Sequence, residues 1–534
     1  MIPYKLLIGT ISFNLLFFSS ACSDTDRTTQ PAQSGHPNIL FISVDDLNDW
    51  VGFMNGHPEM DIKTPNLDRL ASQSLVFTNA HTPAPACAPA RTPIMTGVHP
   101  AVIGAENTYW GDGPRWREFE AVSDVETMEQ FFKNRGYTTL GGGKIYHSQA
   151  PPWTTSSQVE PDNWDFYYPS PHITHPYQMR PPDEVIYPEG VDNENRPGGM
   201  PGWWTWGPID APDEKMSDYH LVEWASYELN RFQEEPFFLA VGTWKPHDPW
   251  EIPQKYFDMY PLEDVVLPEV KENVMEDKFD HGRRRIHQWV LENDQWEKIV
   301  QSYAAAITFT DAMIGRLLDG LERSAYADNT IVILWSDHGM HMGEKENFEK
   351  FSLWELSTRV PFLIKAPGVT QPGSVSDQPV SLMDMYPTLV ELAGFEIPDH
   401  LDGNSLVPLM HDPDTETEPV ITSYRFSPNP NWHIGPLYDP VIGHTVRSKN
   451  YRYIYYTEIG FEELYDHQSD PNEWYNIAYK DEYADLVAEH RQYLLDLIPD
   501  LIWDDDSDPE GYEVLDDGTV RKIDFIPMAD VVRQ

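Results

Sequence analysis

The chain has 534 residues and a formal net charge of −49, from 86 acidic and 37 basic side chains. So large a negative charge argues against nucleic acid as a partner, because nucleic acid is itself polyanionic. The length suits one large α/β domain with a smaller companion, and the acidic composition favours a saline habitat in which salt screens surface charge.

Residues 1–21 have the pattern of a secretory signal. Lys5 is their only charge, and the apolar run that follows it is too short for a membrane span. The run ends in small residues directly before Cys22, as in bacterial lipoprotein signals, although Ser19 stands where an aliphatic residue is usual. We therefore expect lipidation at Cys22 and an outer-membrane lipoprotein of the cell envelope; cleavage and secretion is the alternative. Residues 22–35 are predicted to be a flexible tether.

The first predicted strand follows the tether. Residues 39–44 are β-branched and aliphatic without alternation, which is typical of a buried parallel strand. The strand stops at the pair Asp45 and Asp46. Either aspartate on its own could simply be solvated or cap a following helix.

Cys87 is one of only two cysteines, and it is the only thiol of the mature chain if Cys22 carries lipid. A buried small hydrophobic residue is the simple interpretation, but prolines on both sides and Arg91 argue against a core strand. The segment predicts a short helix that Gly97 ends, with Pro89 in its first turn. This places Cys87 at a helix N-terminus, which favours anions, with Arg91 one turn further along the same face.

Three later apolar segments repeat the pattern of the first strand. The ionisable residues at their ends are Lys144 and His147, Lys245 and His247, and Asp337 and His338. Strands that alternate with helices predict a mainly parallel sheet with helices on both faces. Ligands of such sheets bind beyond the carboxyl ends of the strands, so four such endings predict a single site at one sheet edge.

Asp45, Asp46 and Asp337 would bring three carboxylates together at that edge. Their repulsion would force one of them to stay protonated unless a cation binds. A hard divalent ion with oxygen ligands resolves the repulsion, and calcium tolerates irregular geometry better than magnesium. His338 would be a further ligand or would support one.

Two intermediate stretches allow a structural and a functional interpretation. Residues 148 to about 230 are rich in proline, tryptophan and tyrosine; they form a loop-rich insertion held by its own aromatics, or a wall of a substrate cleft. Arg283, Arg284 and Arg285 form a basic island that binds a uronate or a second sulfate, for which the bidentate geometry of arginine is suited, or that pairs with surface acids. Lys245 is a further candidate for substrate binding.

After about residue 410 the pattern changes to antiparallel strands within 444–458 and 462–478, with a turn at the sequence SDPNE. A helix with an apolar face follows. We expect a domain over residues 36–410 that carries the site, and a C-terminal subdomain with an acidic tail over residues 411–534.

Cys87, Pro89 and Arg91, followed by Thr96 and Gly97, resemble the signature of the formylglycine-dependent type I sulfatases. The resemblance continues through the segments NILFISVDDLNDW, GGGKIYH, WKPHDP, WSDHGMHMGE and FEKFSLWELSTRVPFLIKAPG, from Pro37 to about residue 498. Ala90 departs from the commoner serine. The Lys-Pro-His form and the Asp-His pair resemble the iduronate-2-sulfatase branch.

The resemblance implies an alkaline-phosphatase-like α/β sandwich with a large, mainly parallel sheet and a small C-terminal antiparallel sheet. It implies that a maturase converts Cys87 to formylglycine, and that Ca²⁺ is bound by Asp45, Asp46, the converted Cys87, Asp337 and His338. Lys144, Lys350 and Arg91 would supply positive charge. His247, with Lys350, would protonate the departing sugar oxygen, and His147 would take a proton from the second formylglycine hydroxyl so that sulfate leaves.

The implied function is exo-type hydrolysis of sulfate esters on oligosaccharides of an algal polysaccharide such as ulvan or carrageenan. Three alternatives stay open: a glycosaminoglycan sulfatase of the iduronate-2-sulfate type, a phosphatase or phosphonate hydrolase of the same superfamily, and an inactive glycan-binding lipoprotein.

Overall fold

The computed structural model describes residues 35–104, 116–147, 160–168, 204–231, 233–426, 441–501, 503, 509–525 and 527. The predicted signal, nearly all of the predicted tether and the lipidation site Cys22 lie outside these residues, as does most of the aromatic-rich stretch. Within the described ranges, no helix has the length and apolar character needed to cross a membrane.

The strands fall into one large sheet and several small ones. The first ten are β1 (Asn38–Asp45), β2 (Leu75–Phe77), β3 (Ala80–His81), β4 (Thr138–Gly143), β5 (Phe166–Tyr168), β6 (Trp206–Ile209), β7 (Phe237–Pro246), β8 (Trp250–Pro253), β9 (Thr330–Ser336) and β10 (His341–Met342). The remaining ten are β11 (Phe348–Glu349), β12 (Phe362–Lys365), β13 (Ser374–Ser376), β14 (Val380–Ser381), β15 (Val420–Phe426), β16 (Val441–Arg447), β17 (Tyr451–Tyr456), β18 (Phe461–Asp466), β19 (Tyr512–Val514) and β20 (Val520–Lys522).

The helices alternate with the strands. They are α1 (Pro65–Ala71), α2 (Cys87–Thr96), α3 (Pro100–Ile103), α4 (Met128–Asn134), α5 (Ser217–Leu229), α6 (Gln254–Phe257), α7 (Arg284–Glu292), α8 (Trp296–Arg323), α9 (Glu355–Thr358), α10 (Met385–Leu392), α11 (Val407–His411) and α12 (Ala484–Leu497). Several 3₁₀ turns join them.

The large sheet has the strand order β13-β2-β12-β9-β1-β7-β4-β5. Strand β1 pairs in parallel with β7 and β9, and β4 pairs in parallel with β5 and β7. Strand β12 alone runs against its two neighbours. The predicted mainly parallel sheet is confirmed, and the four strands predicted to end in ionisable residues are neighbours in the order β9-β1-β7-β4.

Helices cover both faces of this sheet, as expected for a buried parallel sheet. Alternate side chains of β1 point to opposite faces, so that Leu40 and Ile42 join the apolar layer that contains α8 and α5, whereas Ile39 and Phe41 join the layer of α2, α4 and α10. All of these side chains are fully buried. The result is a three-layer α/β sandwich, the fold class predicted from the sequence.

The C-terminal part is a four-stranded antiparallel sheet, β15-β16-β17-β18, with α12 packed against it. Val487 and Leu494 of the helix are buried, as its apolar face predicted. One detail differs from prediction: the turn at residues 469–473 follows β18 but no second strand follows the turn. The segment after it hydrogen-bonds to β18 through Asn476 instead of forming a regular ladder.

The predicted acidic tail also contains structure. Strands β19 and β20 form a small antiparallel hairpin. Tyr512 of this hairpin is buried and stacks on Phe461 of β18, with ring centroids 3.9 Å apart. The end of the aromatic-rich stretch is likewise part of the core, because Trp204 and Trp206 are buried beside Trp250 and Trp289.

Candidate active site

The ionisable residues predicted at the strand ends meet at one edge of the sheet. Five groups, from Asp45, Asp46, Cys87, Asp337 and His338, have atoms within 4.8 Å of one another, and all five residues are buried. Asp46 adopts a left-handed backbone with φ of 61°, which a non-glycine residue takes only at some cost and which is common at functional sites. Its amide donates to Asp337 Oδ1 at 3.1 Å, so that the ends of β1 and β9 are joined directly.

Three buried carboxylates form the acidic part of this cluster. Burial acts to raise the pKa of each, but the neighbouring positive charges together outweigh it at Asp45, where Lys144 contributes most, and at Asp337, where Arg91 contributes most, and both pKa values lie below their usual range. The pKa of Asp46 is raised, because burial exceeds the opposing effect of His247 and Lys350.

The donor set fits a hard cation. Carboxylate oxygens from three aspartates are the ligands that Ca²⁺ prefers. His338 adds an imidazole whose Nδ1 lies 3.0 Å from Gly339 O; donation there leaves the lone pair of a neutral ring on Nε2. That Nε2 lies 3.2 Å from Asp46 Oδ1 and so faces the cluster.

Cys87 is the first residue of helix α2, as predicted, and Gly97 ends the helix with φ of 76°. Its sulfur lies 3.1 Å from Lys350 Nζ, 3.3 Å from His338 Nε2 and 3.8 Å from Asp46 Oδ1. Burial raises the pKa of the thiol, but Lys144 and Lys350 outweigh burial and hold it well below its usual range. The thiol therefore lies among cations, at the centre of the site.

Arg91 lies one turn along α2 and is fully buried. Its Nε donates to Asp337 Oδ2 at 2.9 Å and its Nη2 to Asp45 Oδ1 at 3.1 Å. Nη1 donates to Ser43 Oγ at 2.8 Å and to the carbonyls of Lys144 and Ile145. The guanidinium thus holds two carboxylates and the end of β4 in place.

The two predicted lysines pair with different aspartates of the cluster. Lys144 Nζ forms an ion pair with Asp45 and lies 4.3 Å from the centroid of the Trp244 ring. Gly143, with φ of 73°, permits this placement, since a Cβ there would lie 2.0 Å from Gly242 O. Lys350 Nζ lies 2.7 Å from Asp46 Oδ1.

The two predicted histidines differ in environment. Burial acts to lower the pKa of His247, but Asp46 and Asp248 outweigh it and raise the pKa to about 10. Burial lowers the pKa of His147, against a hydrogen bond with Cys87 that acts in the other direction. At neutral pH these shifts favour the protonated form of His247 and the neutral form of His147.

The four residues predicted to bind substrate differ in their surroundings. Lys245 is fully buried, and its ammonium donates to the carbonyls of His247 and Pro249. Arg283 is buried with Nη1 2.6 Å from Glu349 Oε2, and Arg284 pairs with Glu346 at 2.5 Å. Arg285 is exposed. Two of the three arginines thus do pair with acids, and substrate contact by any of the four residues stays a prediction.

Three residues at the site were not identified from the sequence. Asp248 Oδ1 lies 2.5 Å from His247 Nδ1, and its place directly after His247 in the chain was a usable signal. Glu349 precedes Lys350 and pairs with Arg283. Tyr424 belongs to β15 of the C-terminal sheet, and no local pattern connects it with the site.

Comparison with known proteins agrees with this geometry. The sulfatase family model matches residues 37–395, and the model of the N-sulphoglucosamine sulphohydrolase C-terminal region matches residues 343–500. A sulfatase of Formosa agariphila is 34% identical over 89% of this chain and 88% of its own. An ulvan-active sulfatase of the same organism is 30% identical over 90% of this chain and 84% of its own. Human iduronate 2-sulfatase is 28% identical over 88% of this chain and 96% of its own.

Solved structures share the fold. A phosphonate monoester hydrolase from Silicibacter pomeroyi superposes with a TM-score of 0.69 at 19% identity, covering 91% of this chain and 99% of its own. A protein solved with its substrate D-glucosamine-2-N,6-O-disulfate superposes with a TM-score of 0.63 at 20% identity, covering 87% of this chain and 98% of its own.

Proposed function

The chain belongs to the sulfatase family and is a sulfuric ester hydrolase, and we propose that it removes sulfate in exo fashion from oligosaccharides of a sulfated algal polysaccharide such as ulvan or carrageenan. The observation that carries the proposal is the position of Cys87. Its sulfur lies at a helix N-terminus, within 3.1 Å of an ammonium group and within reach of a buried carboxylate cluster. The similarity to an ulvan-active sulfatase supports the algal substrate.

Two groups complete the proposed site. A maturase converts Cys87 to formylglycine, and Asp45, Asp46, Asp337 and His338, with the converted Cys87, hold Ca²⁺. Bound calcium supplies positive charge for the sulfate oxygens and for the nucleophile. The carboxylate cluster and the position of Cys87 support both assignments.

The chain's own residues account for charge and proton movement. The ammonium groups of Lys144 and Lys350 point into the cluster, where they can neutralise sulfate oxygens as negative charge develops. His247, whose pKa is raised to about 10 by Asp46 and Asp248 against the effect of burial, holds the proton for the departing sugar oxygen. His147, neutral because burial lowers its pKa, accepts a proton when sulfate is released.

A second substrate class has a specific observation in its favour. The chain is 28% identical to human iduronate 2-sulfatase across nearly the whole of both proteins, so a glycosaminoglycan with sulfate on a uronate is the alternative substrate. A phosphatase or phosphonate hydrolase would prefer a phosphorus ester, and an inactive glycan-binding protein would bind without turnover. The intact set of Cys87, Arg91, Lys144 and Lys350 argues against inactivity.

The place of action follows from the N-terminal pattern. We propose that residues 1–21 direct export, that Cys22 carries lipid, and that residues 22–35 tether the enzyme to the outer membrane; secretion is the alternative. Extraction of the protein with detergent from a membrane fraction, and its loss from that fraction in a Cys22→Ala variant, would test the anchor.

The activity itself is tested by sulfate release. Protein produced together with a maturase is incubated with ulvan, carrageenan and glycosaminoglycan oligosaccharides, with 4-nitrophenyl sulfate and with a phosphonate ester, and free sulfate is measured by ion chromatography. Sulfate release from algal oligosaccharides that Cys87→Ser abolishes supports the proposal. Turnover confined to glycosaminoglycans moves the substrate to the alternative class, and turnover of the phosphonate ester alone contradicts sulfatase activity.

A further inference from the structure

One wall of the site carries two buried polar groups that find no partner in the part of the chain that the structure describes. Arg283 Nη2 and Tyr424 Oη have no hydrogen-bond partner among the residues that the structure describes. Arg283 is 5% exposed and Tyr424 is 1% exposed. Because a buried donor without a partner costs free energy, such a group in a folded protein calls for an explanation. Two of them on one wall indicate a bound group that supplies acceptors.

Both groups lie around the ring of Phe351, next to Lys350. Arg283 Cζ is 4.4 Å from the centroid of this ring, and Lys350 Nζ is 5.9 Å from it. The rings of Phe351 and Tyr424 have centroids 6.0 Å apart. The distance between Arg283 Cζ and Lys350 Nζ cannot exceed the sum of their distances from the Phe351 centroid. One saccharide unit or two adjacent units can therefore contact both cations.

The backbone at this wall is strained. Glu349 has φ of 68° and Phe351 has φ of 75°, conformations that cost free energy for residues other than glycine and that persist at functional sites. Lys350 Nζ lies 3.1 Å from the Cys87 sulfur, and the ring of its neighbour Phe351 lies near both Lys350 and Arg283. Phe351 is only half-buried, which leaves an apolar surface for a sugar ring.

Arg283 is held by an acidic side chain through one of its two terminal nitrogens. Glu349 accepts from Nη1 at 2.6 Å, and this pair fixes the guanidinium while Nη2 remains available. Arginine donates several N–H groups in a fixed geometry that matches carboxylate and sulfate oxygens. Tyr424 is close enough that the charges of Arg283 and Lys350 lower its pKa, although burial raises that pKa overall.

We propose that Arg283 Nη2 and Tyr424 Oη bind a second anionic group of the same saccharide, either a uronate carboxylate or a second sulfate. Arg283, Phe351 and Tyr424 together form this second-anion subsite. The inference rests on the proposed function, because it places the first sulfate at Lys350 and Cys87. It makes the preferred substrate a saccharide with two negative charges.

The test compares matched pairs of substrates. One pair is a 2-O-sulfated uronate disaccharide and its carboxyl methyl ester; the other is a neutral galactose disaccharide with one sulfate or with two. For each pair, the ratio of kcat/KM between the two-charge and one-charge member is measured. We expect wild type to prefer the two-charge member of one pair by about 10- to 100-fold, the usual effect of hydrogen bonds to a charged group. The pair of substrates that shows the preference tells whether the second anionic group is a carboxylate or a sulfate.

Tyr424→Phe removes one hydroxyl and keeps the ring, and Arg283→Gln removes the charge. Each should bring the preference close to a ratio of one while the one-charge substrate is little affected. Arg491→Gln, which breaks the pair with Glu462 far along the chain, is the control and should keep the preference. A ratio near one in wild type, or a preference kept by both variants, overturns the subsite.

Binding separates this inference from the proposed chemistry. The same four saccharides are titrated by calorimetry into Cys87→Ser protein, with and without Tyr424→Phe. A two-charge preference that Tyr424→Phe removes supports the subsite even if wild type releases no sulfate from any substrate, which would defeat the proposed function alone. Equal binding of both members of each pair counts against the subsite whatever the turnover.

Discussion

Asp248 Oδ1 lies 2.5 Å from His247 Nδ1, and the opposite nitrogen of the same ring, Nε2, lies 3.9 Å from Asp46 Oδ2. The ring is therefore held on one side while its other nitrogen faces the cluster that surrounds Cys87. Trp244 packs on the ring, with centroids 4.6 Å apart, and further limits its orientation.

Asp248→Asn is expected to weaken proton donation by His247 without removing it. The amide keeps a polar contact with Nδ1 but loses the negative charge that helps keep the ring protonated. We expect a larger loss of kcat on a sulfated sugar, which needs protonation of its alkoxide, than on 4-nitrophenyl sulfate, and little change in KM. An equal loss on both substrates would mean that Asp248 supports only the fold.

His247→Ala and His147→Ala are expected to differ in their dependence on the leaving group. General acid catalysis is typically worth about 10² to 10⁴ in rate, so His247→Ala should lose far more activity on a sulfated sugar than on an aryl sulfate. His147→Ala should affect both alike, because release of sulfate from the enzyme is common to them. Steady-state kinetics of both variants on both substrates test these roles. If the two variants show each other's expected behaviour, His147 is the proton donor and His247 the acceptor.

Conversion of Cys87 is expected to change the mass of the intact protein. When a maturase is co-produced, mass spectrometry should show loss of the thiol in favour of an aldehyde or its hydrate. Cys87→Ser should bind substrate without turning it over. Full activity of that variant would remove Cys87 as the nucleophile.

Removal of the proposed Ca²⁺ with a chelator is expected to lower both activity and Tm. Without a cation, the three buried carboxylates of Asp45, Asp46 and Asp337 repel one another, so chelation should destabilise the fold as well as the chemistry. Substitution of any one by asparagine should reduce activity about 100-fold or more. Asp258→Asn, at an exposed position, is the control. Unchanged rate and Tm after chelation would exclude a calcium site.

Stability is expected to fall in mild acid because of His444. Burial lowers its pKa to about 3, while the unfolded chain binds the proton near pH 6.5. The stabilisation is therefore complete above pH 6.5 and is lost as pH falls toward 3, by about 1.4 kcal/mol per pH unit. The free energy of unfolding, measured with urea at several pH values, should depend less steeply on pH in His444→Gln than in wild type. His411→Gln, at an exposed site, should show the same pH dependence as wild type.

The sequence predicts most of this site, and the reason is topological. Asp45, Lys144, His247 and Asp337 follow four strands that are neighbours in one parallel sheet, so their ends must meet. Tyr424 and the Arg283–Glu349 pair could not be predicted in the same way, because their positions depend on how distant segments dock. The strand expected after residue 473 was wrong because Asn476 replaces ladder hydrogen bonds with side-chain ones.

The burial of helix α2 limits when the proposed conversion of Cys87 could take place. Every residue from Cys87 to Thr96 is buried, and the helix belongs to the layer that also contains α4 and α10. The Cys87 side chain is fully buried, so another enzyme could not bind the surrounding segment without pulling the helix out of the core. The proposed conversion of Cys87 is therefore expected to take place on the nascent or unfolded polypeptide.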